Sequence, residues 1–245
     1  MSFGLSRGRT LNVAPGVVAI EGAEMPPLPD DILRNRQGGW LNLPALFKDP
    51  TLPLEIEIGS GKGTFLVQEA GARPGANFLG IEWAKEFFAY AADRIRRQQL
   101  PNVRLLHADA VEFLRWRVPD ASLAAIHLYF SDPWPKARHH KNRVVQDGFL
   151  EDAWRTLVPG GELHIVTDHE DYWGWMEAHF ARWCEGGADV SAREGGPLFR
   201  REDFQAPAGA REGELVGTNF ERKYRREGRP FHAATLVKPG GGNEG

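Results

Sequence analysis

The chain has 245 residues, 42% of them hydrophobic, with a formal net charge of −3 and one cysteine, Cys184. That length suits one globular domain, with or without an appended arm. The charge excludes a globally basic nucleic-acid binder, so any such surface must be local, and a single cysteine excludes an intramolecular disulfide.

The opening MSFGLSRGRTLN has no apolar core of a signal peptide. The longest apolar stretch, near residues 123–130, is too short to span a bilayer. A soluble, cytoplasmic protein with no membrane contact is expected. Residues 1–53 are rich in Pro, Gly and Arg without a sustained period, so they read as a partly irregular N-terminal arm.

Regular elements begin after Pro53. LEIEIGSG (54–61) reads as a strand running into glycine, and 62–71 as a helix. NFLGIE (77–82) is a second strand. Residues 84–97 place Phe87, Phe88, Ala91 and Ile95 on one helical face. NVRLLHAD (102–109) is a third strand, followed by a helix over 110–117. LAAIHLYFSD (123–132) is the fourth and most apolar strand. Residues 145–158 carry Val145, Phe149, Ala153 and Leu157 at helical spacing, and Pro159-Gly160-Gly161 stops them. ELHIVTD (162–168) is a fifth strand, and 170–184 an aromatic-rich helix. Residues 186–217 read as a long surface connection, RPFHAATLVK (229–238) as a last strand, and 239–245 as a disordered tail.

Strands alternating with helices predict an α/β fold: a mostly parallel sheet with helices on both faces. Ligands bind beyond the carboxyl ends of such strands. Those ends carry Gly59 and Gly61, Glu82, Asp109, Asp132 and Asp168. A single acid there is explained by helix capping. Four acids and a glycine loop on one rim predict a site.

In EIGSGKG, the glycines let the backbone turn sharply and let a ligand approach without a Cβ in the way. The spacing is neither the dinucleotide G-x-G-x-x-G nor a P-loop, and Lys62 is expected to face solvent. Glu82, 23 positions after Gly59, stands where a carboxylate accepts ribose hydroxyls. Glu57 is placed to hold a positively charged methionine end, or to serve as an ordinary salt-bridge acid. Asp109 is placed to accept from an adenine amino group, or to cap the 110–117 helix. Crowded acids repel a pyrophosphate and tolerate a sulfonium zwitterion, which favours S-adenosylmethionine over NAD as cofactor.

After the fourth strand comes YFSDPWPKARHHKNR (129–143). Prolines on both sides restrict Trp134, which offers a stacking plate or simply covers the sheet end. Asp132 offers an acceptor. Lys136, Arg138, His139, His140, Lys141 and Arg143 follow, and a second basic burst lies at Arg222, Lys223, Arg225, Arg226 and Arg229. On an acidic background these suggest phosphate contacts, or a solvated charged face. No HExxH or CxxC spacing occurs, and no metal is expected.

At these residues the chain resembles the bacterial tRNA (guanine-N7)-methyltransferases. LEIEIGSGKG, GIE, HAD, YFSDPWPKARHHKNR, IVTD and TNFERKYRREG match the family's motifs in order. The resemblance covers roughly residues 54–238, set as the methyltransferase domain, and the D-P-W-x-K-x-R-H-x-K and T-x-F-E-x-K elements are its most specific parts. It implies a class I S-adenosylmethionine-dependent methyltransferase (Rossmann-like) fold and, as target, the variable-loop guanosine at tRNA position 46. It also implies donor-site roles for Glu57, Gly59, Gly61, Glu82, Asp109 and Asp132. Lys136, Asp168, Thr218, Asn219, Phe220 and Glu221 would meet the tRNA or its guanine. Arg138, His139, His140, Lys141, Asn142 and Arg143 would contact RNA. Asn142 departs from the family's usual arginine, and Arg7 and Arg9 carry no assigned role. tRNA is the expected partner, with no obligatory protein partner.

Guanine N7 has no proton to lose, so positioning rather than a strong base is expected to supply the rate. Asp132 is the candidate catalytic carboxylate, stabilising the cationic product purine. Asp168 or Glu221 would accept from the guanine N1–H and N2 amino edge and exclude adenine. Three alternatives remain: a nicotinamide-dependent dehydrogenase, a non-catalytic RNA-binding protein, and a methyltransferase acting on a protein or free base.

Overall fold

The strands are Leu54–Ile58 (β1), Asn77–Glu82 (β2), Val103–His107 (β3), Leu123–Tyr129 (β4), Leu157–Thr167 (β5), Arg200–Glu202 (β6) and His232–Val237 (β7). The helices are Thr64–Ala72 (α1), Lys85–Gln98 (α2), Ala110–Arg117 (α3), Asp147–Thr156 (α4), Glu170–Phe180 (α5) and Asn219–Arg226 (α6). The structure, a computed structural model, describes residue 11 and residues 25–186 and 199–240. All seven strands share one sheet in the order β3-β2-β1-β4-β5-β7-β6. β1 to β5 run parallel, while β7 is antiparallel to both β5 and β6.

Both faces of the sheet are covered, which is why β1 and β2 are buried along their whole length. On one face Phe65 and Leu66 of α1 and Phe88, Ala91 and Ile95 of α2 pack on Phe78, Val103 and Leu105. On the other, Phe113 of α3, Phe149 of α4 and Tyr172, Met176 and Phe180 of α5 pack on Leu79, Ile126 and Ile165. Residues expected as an arm contribute to the second core through Leu43 and Phe47. Arg7, Arg9 and residues 241–245 of the tail lie outside the described residues.

One charged group runs through the first face. Burial acts to raise the Glu55 carboxyl, but His127 and Arg73 outweigh it and hold the group down at about 2. Burial pushes the His127 imidazole down, so its neutral ring donates Nε2–H to Glu55 at 2.9 Å and accepts from the Tyr129 hydroxyl on Nδ1 at 2.8 Å.

Three expectations are corrected. The helix read over 145–158 is Asp147–Thr156, because Leu157 already pairs with Leu123 as strand. Residues 158–161 bulge out of that ladder before Glu162 rejoins opposite Ala125. Within the expected surface connection, residues 187–198 are outside the described set, but Arg200–Glu202 forms an edge strand and Val216 is buried in the core. Finally, four of the five cations of the second basic burst, Arg222, Lys223, Arg225 and Arg226, lie on a helix, α6, that hydrophobic spacing did not announce.

Helix α1 sits close on β2 because Gly80 has no side chain. A Cβ there would collide with Leu66 and stand 2.8 Å from Leu105 Cδ2. Gly80→Val is therefore expected to lower unfolding free energy by about 1–3 kcal/mol through overpacking, measured by urea denaturation.

Candidate active site

Strand order reverses between β1 and β4, which pair with each other while their onward crossovers lead to opposite edges. This is the switch point at which a crevice opens above a parallel sheet. A crevice of about 790 Å³ lies there, lined among others by Gly59, Gly61, Glu82, Asp109, Asp132 and Trp134. The structure thus brings together the rim residues from β1, β2, β3 and β4. Asp168 of β5 is not among the lining residues.

The loop after β1 is fixed by backbone and by one carboxylate. Gly59 and Ser60 N–H both donate to Ile81 O, at 2.9 and 3.1 Å. Glu82 Oε2 accepts from Gly61 N at 2.7 Å, and its Oε1 accepts from Ala84 N at 2.8 Å. Glu82 therefore shapes the loop, a job that its place in the sequence did not indicate, and keeps further lone pairs on both oxygens. Gly63, at φ 65°, enters α1 with its Cα against Ala91, where a Cβ would stand 3.1 Å from the alanine methyl. Lys62, expected in solvent, instead lies half-buried with Nζ 5.7 Å from the Tyr90 ring centroid.

Glu57 lies beneath that loop, 4% exposed, and its Oε2 has no hydrogen-bond partner. Burial, reinforced by the negative charge of Glu82, raises its carboxyl well above the ordinary range. An orphaned buried oxygen of this kind calls for a cationic or donor partner. Asp109 caps α3 with Oδ1 alone, accepting from Val111 N at 2.9 Å and Glu112 N at 3.1 Å. The capping reading of Asp109 thus holds, and its Oδ2 is not used by the cap.

The loop after β4 is held in an unusual backbone. Phe130 (φ 54°) and Trp134 (φ 45°) are both left-handed, flanking exposed Asp132. Arg143 holds that backbone in place. It was expected on RNA, but it is 2% exposed. It donates to Pro133 O at 2.9 Å, pairs with Asp171 of α5, and lies over the Tyr172 and Trp175 rings at 5.1 and 5.2 Å. It has no surface to offer a phosphate. Its neighbours divide. His139 packs edge-on against Trp134, and His140 against Trp175. Lys136, Arg138, Lys141 and Asn142 are exposed, and the two lysines have no acidic partner among the described residues.

Thr218 is the N-cap of α6. The Thr218 hydroxyl accepts from Glu221 N at 3.1 Å. Glu221, expected at the guanine edge, is fully buried. Its oxygens accept from Leu215, Val216 and Gly217 N–H at 2.6–2.8 Å and from Arg225 at 2.7 Å. No oxygen is left for a base. Asn219 donates to the Thr64 hydroxyl at 2.9 Å, tying α6 to the start of α1. Phe220, 40% exposed, leans over Gly61 at the crevice wall. Arg222 pairs with Glu214, whereas among the described residues the Arg226 side chain bonds only the Arg222 carbonyl. The sequence signal for this helix was the T-x-x-E spacing.

Comparison with known proteins follows the same lines. A family model described as "Putative methyltransferase" matches residues 51–186. The tRNA (guanine-N(7)-)-methyltransferase of Nitrosococcus oceani is 41% identical over 134 residues, 55% of this chain and 56% of the relative. That of Rhodopirellula baltica is 36% identical over 220 residues, 81% of this chain and 74% of the relative. The chain belongs to this methyltransferase family. In three of its relatives the matched stretch spans 53–65% of their own length. The crystal structure of the aminoglycoside resistance methyltransferase NpmB1 shares the fold, with a TM-score of 0.50 at 16% identity, covering 89% of this chain and 98% of that one. The class I methyltransferase sheet is thereby the fold of this chain. No helix among the described residues is long and apolar enough to cross a membrane, and no described group of three or more His, Cys, Asp or Glu could hold a metal.

Two outcomes test this geometry. Arg143→Ala should lower stability by about 2 kcal/mol, since it removes a charged hydrogen bond and its aromatic bed, while Lys141→Ala leaves the denaturation midpoint unchanged. Glu57 binds its proton more tightly in the folded chain than in the unfolded one, so its contribution to stability falls as pH rises above the ordinary carboxylate range. Glu57→Gln should accordingly raise the melting temperature at pH 8, with the gain shrinking toward pH 4.5.

Proposed function

We propose that this chain transfers a methyl group from S-adenosylmethionine to N7 of a guanine in tRNA. The observation that carries the reading is Glu57. Its unpartnered, buried carboxylate oxygen belongs to β1, two residues before the glycines that line the crevice, and Lys141, with no acidic partner among the described residues, lines the same crevice. The names of the relatives, tRNA (guanine-N(7)-)-methyltransferases, support the same substrate.

The residues present fit the donor. Glu57 would take its ammonium group, the Gly59–Gly61 backbone its amino-acid end, the remaining lone pairs of Glu82 its ribose hydroxyls, and Asp109 Oδ2 its adenine amino group. S-adenosylmethionine supplies a methyl group made electrophilic by a sulfonium. The chain's own residues do the rest. N7 offers a free lone pair, so no side chain has to remove a proton. The wall formed by Phe220, Asp132 and Trp134 holds the purine, and the Asp132 carboxylate balances the positive charge the ring acquires. Lys136, Arg138 and Lys141 meet the phosphate chain, joined by Arg226 from α6. Asp168 accepts from the base edge that adenine lacks. Methylation in the cytoplasm follows from this substrate.

Incubation with radiolabelled donor and bulk tRNA, followed by mapping of the mark, tests the reading. Label at a guanine N7 is expected, and label on protein only, or none, overturns it. Asp132→Ala should lower kcat by roughly 10²–10³-fold. In the triple variant Lys136→Ala, Arg138→Ala, Lys141→Ala, the slope of log affinity against log salt should become shallower by about 2 to 3. An unchanged slope removes the phosphate role.

A further inference from the structure

Arg229 follows α6 and belongs to the second basic burst, yet it is not built as a phosphate contact. Its Nη1 donates to Asp168 Oδ2 at 2.6 Å and its Nη2 pairs with Glu227 Oε2 at 2.7 Å. The guanidinium lies 4.1 Å from the Tyr224 ring centroid, and its backbone N–H donates to Tyr224 O at 3.1 Å. Three contacts fix the guanidinium, a fourth fixes its backbone, and two acids compensate its charge. Arg226, at the end of α6, has no such acid among the described residues. An anionic backbone would therefore find Arg226 and be indifferent to Arg229.

What Arg229 holds is the more telling half. Asp168 closes β5, with its side chain 11% exposed. Oδ2 is taken by Arg229, and Oδ1 has no partner among the described residues. Two carboxylates were expected at the edge of the target base. Glu221 is saturated by three backbone N–H groups and Arg225. Asp168 alone keeps an oxygen open. Tyr224, over whose ring Arg229 lies, packs on Phe130 and Phe220 with centroids 6.0 and 6.1 Å apart, and both of those rings line the crevice that Asp132 borders. Asp168 thus stands behind the crevice wall, joined to it through Arg229 and Tyr224.

Resting on the methyltransferase reading above, we infer that Arg229 is a positioning residue for base selection: it clamps one oxygen of Asp168 so that the other is fixed toward the N1–H and N2 amino edge of the incoming guanine. A carboxylate bound by one arm of an arginine fork has lost its rotational freedom, and a fixed acceptor discriminates better than a mobile one. The pair is a brace kept during turnover, not a latch to be broken.

The experiment uses tRNA transcripts carrying guanosine or inosine at the nucleotide the wild-type enzyme marks, since inosine lacks the N2 amino group. Wild-type enzyme should favour guanosine by roughly 10- to 100-fold in kcat/KM. Arg229→Ala should bring that ratio to within about threefold of unity, and Arg229→Lys, a point charge without the fork, should restore part of it. Asp168→Asn should lose the same discrimination, and the double variant should lose no more than Asp168→Asn alone, as expected of two residues acting through one contact. Titration with S-adenosylhomocysteine should give the same affinity in all variants, which separates this effect from damage to the donor site. Wild-type discrimination retained in Arg229→Ala, a gain in its rate, or a change confined to salt dependence would each overturn the inference. Failure of wild-type enzyme to mark either transcript would overturn the methyltransferase reading itself.

Discussion

A parallel sheet cannot cover its own carboxyl edge where the strand order turns back on itself. Between β1 and β4 the connections leave in opposite directions, and no crossover helix roofs the gap. Every feature of the site depends on that constraint. The loops after β1, β2, β3 and β4 all empty into one opening, and the chemistry of the chain is set by what their first few residues carry. The antiparallel β7 and β6 extend the sheet on the far side of β5. They bring α6 back across the mouth, so the last third of the sequence furnishes the wall opposite the first third.

Three carboxylates, one at this opening and two buried, show how the same chemical group is given different work by its surroundings. Glu221 is buried and saturated, held below the ordinary range because four hydrogen bonds outweigh the cost of burial. Glu57 is equally buried but lacks them, and its proton is held tightly. Asp132 is left in water. The first is architecture, the second awaits a partner, and the third is free to face a substrate. Three backbone N–H groups and the Arg225 guanidinium on one side, and the neighbouring Glu82 charge on the other, separate the first two.

The sequence made the central sheet legible because its signals are local. β2 and α3 have the bounds that spacing predicted, and Glu82, Asp109 and Asp132 fall where the crevice opens, although Asp168 does not line it. What escaped depends on partners far away in the chain. Arg143 sits in a run of cations and reads like its neighbours. Only the facing rings of Tyr172 and Trp175, three apart on α5, turn it inward. β6 carries no apolar residue, since an edge strand of Arg200–Glu202 needs only a ladder to join. Helix α6 was masked by its own charge, although Thr218 and Glu221 spelled its start. The family resemblance of T-x-F-E-x-K sets Glu221 at the target base. The burial of Glu221 follows from a loop, 215–217, that turns three N–H groups onto it.

The double grip of Glu82 on Gly61 and Ala84 has a consequence for recognition. One side chain ties the turn after β1 to the turn after β2, so both are set in place before anything enters. A flexible turn would have to surrender its conformational entropy on each encounter, and that loss would be subtracted from affinity. Here the ordering was completed when the chain folded. The crevice is thus braced where β1 and β2 end, while Lys136 and Lys141, beyond β4, are exposed on long flexible stems.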